Sequence, residues 1–255
     1  MPTFLFDQII FGPVKSRRLG VSLGINLLPS TSKVCNFDCI YCECGLTKST
    51  VGKLPERKEV IQKLESFLKQ SNQEGKTIDA ITFAGNGEPT MHADFAGIID
   101  DTYKLRNLYY PKAEIALLSN ATTLGSSKVL RAFEKIDQCI LKLDSVNPST
   151  VKLLNCPLGN FSIEQTIQRL RQLKGIIIQT MFVKGSFKGI AVDNTTEEEL
   201  VPWLETLSAI HPSMVMIYTI ARDTPFDTLE KVPLKQLEDI GKRVEALGIQ
   251  VQISG

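Results

Sequence analysis

The stretch VCNFDCIYCECG, Val34 to Gly45, holds four of the chain's six cysteines. Cys35, Cys39 and Cys42 follow a C-x3-C-x2-C spacing, and Cys44 comes two residues later. Thiolates are the normal protein ligands of iron–sulfur clusters, and three of them can hold three corners of a cubane while one iron stays open to an outside ligand. A structural zinc site on Cys35, Cys39, Cys42 and Cys44 is the plainer alternative. Its spacing departs from the two separated C-x2–4-C pairs of zinc knuckles. Buried free cysteines are a third option, which three within eight residues disfavours. In a reducing compartment, a tight group of this kind points to metal or catalysis rather than to disulfides.

The elements that must position this loop alternate along the chain. Short apolar runs at Val21–Leu28, Ala80–Phe83, Glu114–Ser119, Gln138–Asp144, Ile176–Val183 and Met214–Ile220 read as strands. Amphipathic helices fall between them. ERKEVIQKLESFLKQ places Val60, Ile61, Leu64, Phe67 and Leu68 on one face. SIEQTIQRLRQLKG opens with a capping box of Ser162 and Gln165, and TTEEELVPWLETL offers a second box in Thr196 and Glu199. PLKQLEDIGKRVEALG carries a stripe of Leu234, Leu237, Ile240, Val244 and Leu247. Six strand–helix units in series predict an α/β chain, a partial (β/α)6 TIM-like barrel with a parallel sheet and outer helices. Ile249–Ile253 adds a short seventh strand. The expected organisation is a single domain over residues 1–255, with a core from about 12 to 222.

Composition narrows the classes. Hydrophobic residues are 43% and charged residues 22%, as in soluble globular proteins. The net charge of +1 shows no basic footprint for nucleic acid or anionic membrane. The longest apolar runs are too short for a bilayer, and the N-terminal stretch lacks a basic n-region and a cleavage site, so a cytoplasmic protein with no membrane partner is expected.

Ligands of such sheets bind beyond the carboxyl ends of the strands, so the residues after each strand are the candidates. The cysteine loop follows the first. FAGNGEPT follows the second, where Gly85 and Gly87 permit close backbone approach or simply make a turn. Ser119 and Asn120 end the third. Asp144 and Ser145 end the fourth, and a carboxylate there suits a ribose diol or merely caps the junction. Gln179 and Lys184 follow at the fifth, Tyr218 and Arg222 at the sixth. Arg222 could clamp a carboxylate or phosphate, or pair with an acid such as Asp223. Lys15, Arg17 and Arg18 form a short basic run before the first strand, either a solvated face or a substrate contact.

C-x3-C-x2-C after the first strand, with the aromatic Tyr41 before the last cysteine, resembles the signature of the radical S-adenosylmethionine (radical SAM) superfamily. That resemblance implies a [4Fe–4S] cluster on Cys35, Cys39 and Cys42. It implies S-adenosylmethionine chelating the fourth iron, and a 5′-deoxyadenosyl radical that abstracts hydrogen from a substrate. It assigns the methionine amino group to the Gly85, Asn86, Gly87, Glu88 stretch, a variant of the family's G-G-E-P. Glu88 would accept from the ammonium or brace the loop. Tyr41, Ser119, Asn120 and Asp144 join the expected cofactor set. SRRLGVSLGINLLP, CNFDCIYCECG, GNGEPT and YTIAR together resemble the wybutosine-biosynthesis subgroup, which acts on a guanosine of transfer RNA. Arg17, Arg18 and Arg222 are then the candidate substrate contacts.

Departures bound this. The tricyclic-forming enzymes of that subgroup carry a second cluster on cysteines before the signature, and this chain has none before Cys35. One cluster is therefore expected, with Cys139 in the core and Cys44 beside the site or incidental. The electron would come from a separate flavodoxin or reductase. The substrate is left among a small molecule, an RNA and a protein. A radical activase of a partner protein is a second enzyme reading. A non-catalytic iron–sulfur or zinc scaffold is the rival from another class. His92 and His211 have no metal-ligand spacing, and His92 reads as a surface residue or a proton carrier near the mouth.

Overall fold

A computed structural model describes residues 4–16, 19–47 and 52–255. Its strands are β1 (Ile10–Ser16), β2 (Gly20–Ile25), β3 (Ala80–Phe83), β4 (Glu114–Ser119), β5 (Gln138–Lys142), β6 (Ile177–Met181), β7 (Val183–Phe187), β8 (Ile190–Asp193), β9 (Met214–Tyr218), β10 (Leu229–Lys231) and β11 (Gln250–Ser254). Its α-helices are α1 (Arg57–Gln73), α2 (Phe95–Tyr109), α3 (Ser127–Phe133), α4 (Pro148–Leu154), α5 (Ile163–Leu170), α6 (Glu197–Ile210) and α7 (Leu234–Glu245).

The main sheet runs β1-β2-β3-β4-β5-β6-β9-β11. Every neighbour from β2 to β11 is parallel, and only β1 joins antiparallel. The six expected strands thus stand side by side in chain order, with the expected seventh at the far edge. The sheet curls into a half-barrel with helices around it. Side chains alternate across it. Ile81, Phe83, Ile115, Leu117, Leu141 and Ile178 face outward into the core beneath the helices. Ile140, Ile177 and Met216 fill the inside, and Lys142, Gln179 and Tyr218 stand on that same inner face nearer the carboxyl ends. Cys139 lies in the outer core, its thiol pushed up to about 12 by burial.

A second, three-stranded antiparallel sheet, β10-β7-β8, begins at Val183, with one residue between it and the end of β6. No residue pattern announces it, because Gly185 and Ser186 dilute the apolar alternation of β7. Val183, Phe187 and Val192 from it pack with Phe37, Ile40, Tyr41 and Ile220, so this sheet backs the cysteine loop. None of the helices among the described residues is long and apolar enough to cross a membrane.

Ser162 caps α5 as expected, accepting from Gln165 N at 3.1 Å. Ser162→Ala should lower stability by about 1 kcal/mol in a denaturant melt. The second box does not form. Thr196 makes no side-chain cap, and Glu199 turns inward to accept from the Ser145 and Thr150 hydroxyls.

Candidate functional site

The cysteine loop is stitched down on both sides. Val34 bridges Gly87, with Val34 N donating to Asn86 O at 2.8 Å and Glu88 N to Val34 O at 3.0 Å. On the other side the loop pairs with the chain after α4. Ile40 N donates to Leu154 O, Asp38 N to Cys156 O, and Leu158 N to Asn36 O, at 2.9, 3.2 and 2.8 Å. Lys33 closes the loop from beneath, its buried Nζ 3.1 Å from Asp38 Oδ1 and 2.9 Å from Gly45 O. Burial works against that charge, but Cys42, Cys35, Cys39 and Asp38 more than offset it and hold the ammonium above its usual pKa.

Cys35, Cys39, Cys42 and Cys44 all line one cavity of about 310 Å³ at the carboxyl ends of the strands. Burial pushes the Cys35 thiol up to about 12 and the Cys39 thiol up to about 11. A hydrogen bond from Cys44 does most to lower Cys42, to about 6, and the same bond raises Cys44. Cys44 Sγ also lies 3.5 Å from Gly85 O. Among the described residues no three His, Cys, Asp or Glu side chains converge on a single ion position. The four thiols line the wall of one cavity, whereas tetrahedral zinc needs all its ligands about 2.3 Å from one ion.

The opposite wall is the loop after β3. Gly85 and Gly87 have φ of 145° and 137°, and a Cβ on Gly87 would stand 1.8 Å from Val34 O. Glu88 is fully buried at the rim of the cavity. Thr90 N, the Thr90 hydroxyl, the Ser119 hydroxyl and Asn120 N all donate to it. Burial raises its pKa, and these donors partly counter that. Ser119 and Asn120 line the cavity as expected, and Asn120 Nδ2 points at Asn36 Oδ1 (2.7 Å) and Cys35 Sγ (3.7 Å).

Residues 30–205 match the family described as the Radical SAM superfamily. The chain belongs to the radical SAM superfamily. Members of it use a [4Fe–4S] cluster and S-adenosylmethionine, and the superfamily implies an enzyme supplied with electrons from outside. The chain is 30% identical over 244 residues, 93% of its length, to a protein named GTPase Obg of Brachyspira hyodysenteriae. It is also 30% identical over 222 residues to a UPF0026 protein of Methanocaldococcus jannaschii, covering 84% of this chain. It spans 33% and 64% of those two relatives. The G-x-x-x-x-G-K-S/T stretch that cradles nucleotide phosphates in GTPases does not occur in this sequence. A shorter match, 29% identical over 119 residues (46% of this chain and 38% of the relative), is to an S-adenosylmethionine-dependent nucleotide dehydratase of Selenomonas ruminantium. In fold the chain is similar to a radical SAM methyltransferase from Sphaerobacter thermophilus, with a TM-score of 0.67 at 14% identity, over 91% of this chain and 65% of that one.

Several expected site residues sit elsewhere. Asn86 does not line this cavity of the radical SAM chain. Its side chain is tied to Phe6 N, Phe6 O and Pro29 O at 2.8 to 2.9 Å, fastening the N-terminal segment behind the loop. Asp144 is turned into the wall, where Tyr41 OH, Asn155 Nδ2 and Met181 N donate to it, so no oxygen is offered to a ribose. Tyr41 lines the cavity with its ring while its hydroxyl is held in that network. Arg222 is exposed and pairs with Glu43 at 2.6 Å rather than with Asp223. Arg17 and Arg18 lie outside the described residues. His92 is buried, tied to Pro55 O and Asp94 N, away from the mouth.

Two residues were missed. Lys142 faces the cavity, its Nζ 3.0 Å from Tyr41 OH and 3.3 Å from Tyr218 OH. Burial opposes its charge, and Asp144, Tyr218 and Cys39 more than restore it. The strand period could have found it, since Lys142 shares a face with Ile140. Asn155, just past α4, reaches Cys39, Tyr41 and Asp144 at once. No local signal marks it.

Proposed function

We propose that the chain, acting as a single domain, is a radical SAM enzyme in which Cys35, Cys39 and Cys42 hold a [4Fe–4S] cluster. The loop Gly85–Glu88, with Ser119, Asn120 and the Tyr41 ring, receives S-adenosylmethionine beside it. The observation that carries this is the shared cavity: three thiols of one loop face a glycine-opened wall across about 310 Å³. Bound there, the cluster and S-adenosylmethionine together supply one-electron, hydrogen-abstracting chemistry.

The chain's own residues do the rest. Lys33 sets a fixed positive charge beneath the thiolates. Gly85 and Gly87 let backbone come close enough for a ligand's polar end to reach it. Glu88 fixes Ser119 and Asn120 and presents a buried carboxylate towards an ammonium. Lys142, charged and nearly enclosed, orients an anionic group in the cavity. Phe6, Phe37, Met181 and Tyr218 line its apolar walls and exclude water.

The substrate we favour is a nucleoside or nucleotide, with an RNA guanosine as the specific candidate. The motif likeness to the wybutosine subgroup supports it, as does the nucleotide dehydratase relative. Arg17, Arg18 and Arg222 are the proposed contacts for its phosphates, Arg222 by exchanging Glu43 for the ligand. A flavodoxin or its reductase is the proposed donor, in the cytoplasm, where thiols stay reduced.

The test is anaerobic reconstitution with iron and sulfide, followed by reduction and electron paramagnetic resonance with and without S-adenosylmethionine. About four irons, a reduced-cluster signal that changes on adding the cofactor, and 5′-deoxyadenosine as product are expected. A chain that binds one zinc, or a cluster indifferent to S-adenosylmethionine, returns the protein to the scaffold reading.

A further inference from the structure

Two carboxamides outside the cysteine loop aim N–H groups at its sulfurs. Asn155 Nδ2 stands 3.4 Å from Cys39 Sγ, and Asn120 Nδ2 stands 3.7 Å from Cys35 Sγ. Neither is there by chance of rotamer. Asn155 is 3% exposed, and the same nitrogen lies 2.7 Å from Asp144 Oδ2 and 3.1 Å from Tyr41 OH. Its two hydrogens serve three acceptors, so the amide cannot swing away from the sulfur without abandoning a buried carboxylate. Asp144 is in turn fixed by Met181 N at 2.9 Å. Asn120 is held through its oxygen by Thr122 N and the Thr122 hydroxyl, at 3.1 and 2.7 Å.

A donor aimed at a ligand sulfur favours whichever oxidation state puts more negative charge on that sulfur. Hydrogen bonds to the sulfurs are among the levers that set cluster potentials, and residues around the ligands tune the metal nearly as much as the ligands do. Burial strengthens the effect, because no water competes for the sulfur. We propose that Asn155, with Asn120 as the weaker partner, is a positioning residue that raises the reduction potential of the cluster held by Cys35, Cys39 and Cys42. One electron from the external donor then takes that cluster from the 2+ to the 1+ state more readily. This rests on the cluster reading above.

The experiment compares wild type, Asn155→Ala, Asn155→Gln, Asn120→Ala and Thr180→Val, each reconstituted anaerobically, assayed for iron and sulfide, and titrated with dithionite against redox dyes. Thr180→Val is the control, since Thr180 is fully buried and bonded to Leu143 O but reaches no cysteine. Asn155→Ala should load iron like wild type and be reduced about tenfold less favourably, a potential more negative by ~59 mV for a one-electron couple. Asn155→Gln should recover part of that, and Asn120→Ala should shift less in the same direction. Thr180→Val should melt earlier with its potential unmoved. A loaded Asn155→Ala whose potential is unchanged or more positive overturns the proposal. If Asn155→Ala loads no iron, Asn120→Ala decides by the same titration, and an unmoved potential there overturns it. A wild-type chain that loads no cluster refutes the underlying reading instead, and is seen in the iron assay before any titration.

Discussion

Cys39→Ala is expected to abolish cluster assembly and to cut S-adenosylmethionine cleavage by more than ~100-fold, beyond the usual loss of a mere supporting partner. Cys39 is 7% exposed and its sulfur lies between the cavity and Asn155. No other thiol can move into its place. Cys44 is engaged by Gly85 O and Cys42, and Cys156 bonds Leu153 O in the last turn of α4. Removing one buried sulfur should cost the fold only about 1 kcal/mol, so the variant should melt nearly as wild type before reconstitution. Cys44→Ala should keep its iron and its cleavage activity. Iron content and 5′-deoxyadenosine yield read both. Loss of the cluster in Cys44→Ala would mean that four thiols, not three, make the site.

The second large effect is Gly87→Ala. A Cβ there would fall 1.8 Å from Val34 O, a backbone atom that cannot rotate aside. The φ of 137° is also one that side chains rarely adopt. The only relief is to break the Val34–Gly87 bridge, and Val34 leads directly into Cys35. We expect a stability loss on the order of 3 kcal/mol and poor iron loading. Gly75→Ala is the matched control. It has φ of 67° but open space around it, so it should cost about 1 kcal/mol and leave loading unchanged. Equal iron loading in the two variants would show that the bridge does not fix the cysteine loop.

What could be read from the residues was whatever repeats or clusters along the chain. β3 and β4 coincide with the apolar runs at Ala80–Phe83 and Glu114–Ser119 because parallel strands are buried on both faces and read as continuous apolar segments. The cysteine spacing was legible for the same reason: all its members lie on one loop. Asn155 was not, because it meets Cys39 across 116 residues and sits in sequence among ordinary helix-ending residues. Asp144 was read as a ligand because a carboxylate at a strand end points two ways, and only packing shows that Tyr41, Asn155 and Met181 N claim it. Asn86 was misplaced by its neighbours. Between two glycines it looked like part of the ligand wall, yet the φ values of those glycines turn it to the opposite side.

The ladder between residues 36–40 and 154–158 also bears on how the protein is made. A ribosome adds roughly 5–20 residues per second, so Asn155, 116 residues on, is synthesised about 6 to 23 seconds after Cys39. Once they leave the ribosome, the thiols stand for part of that interval without the partner segment, the carboxamide or the second sheet that will later enclose them. Iron delivered during synthesis would meet a loose set of reactive thiols, open to oxidation and to the wrong metal. Maturation factors that load this protein should therefore act on the finished chain, and translation stalled before Asn155 should yield a product that cannot be matured.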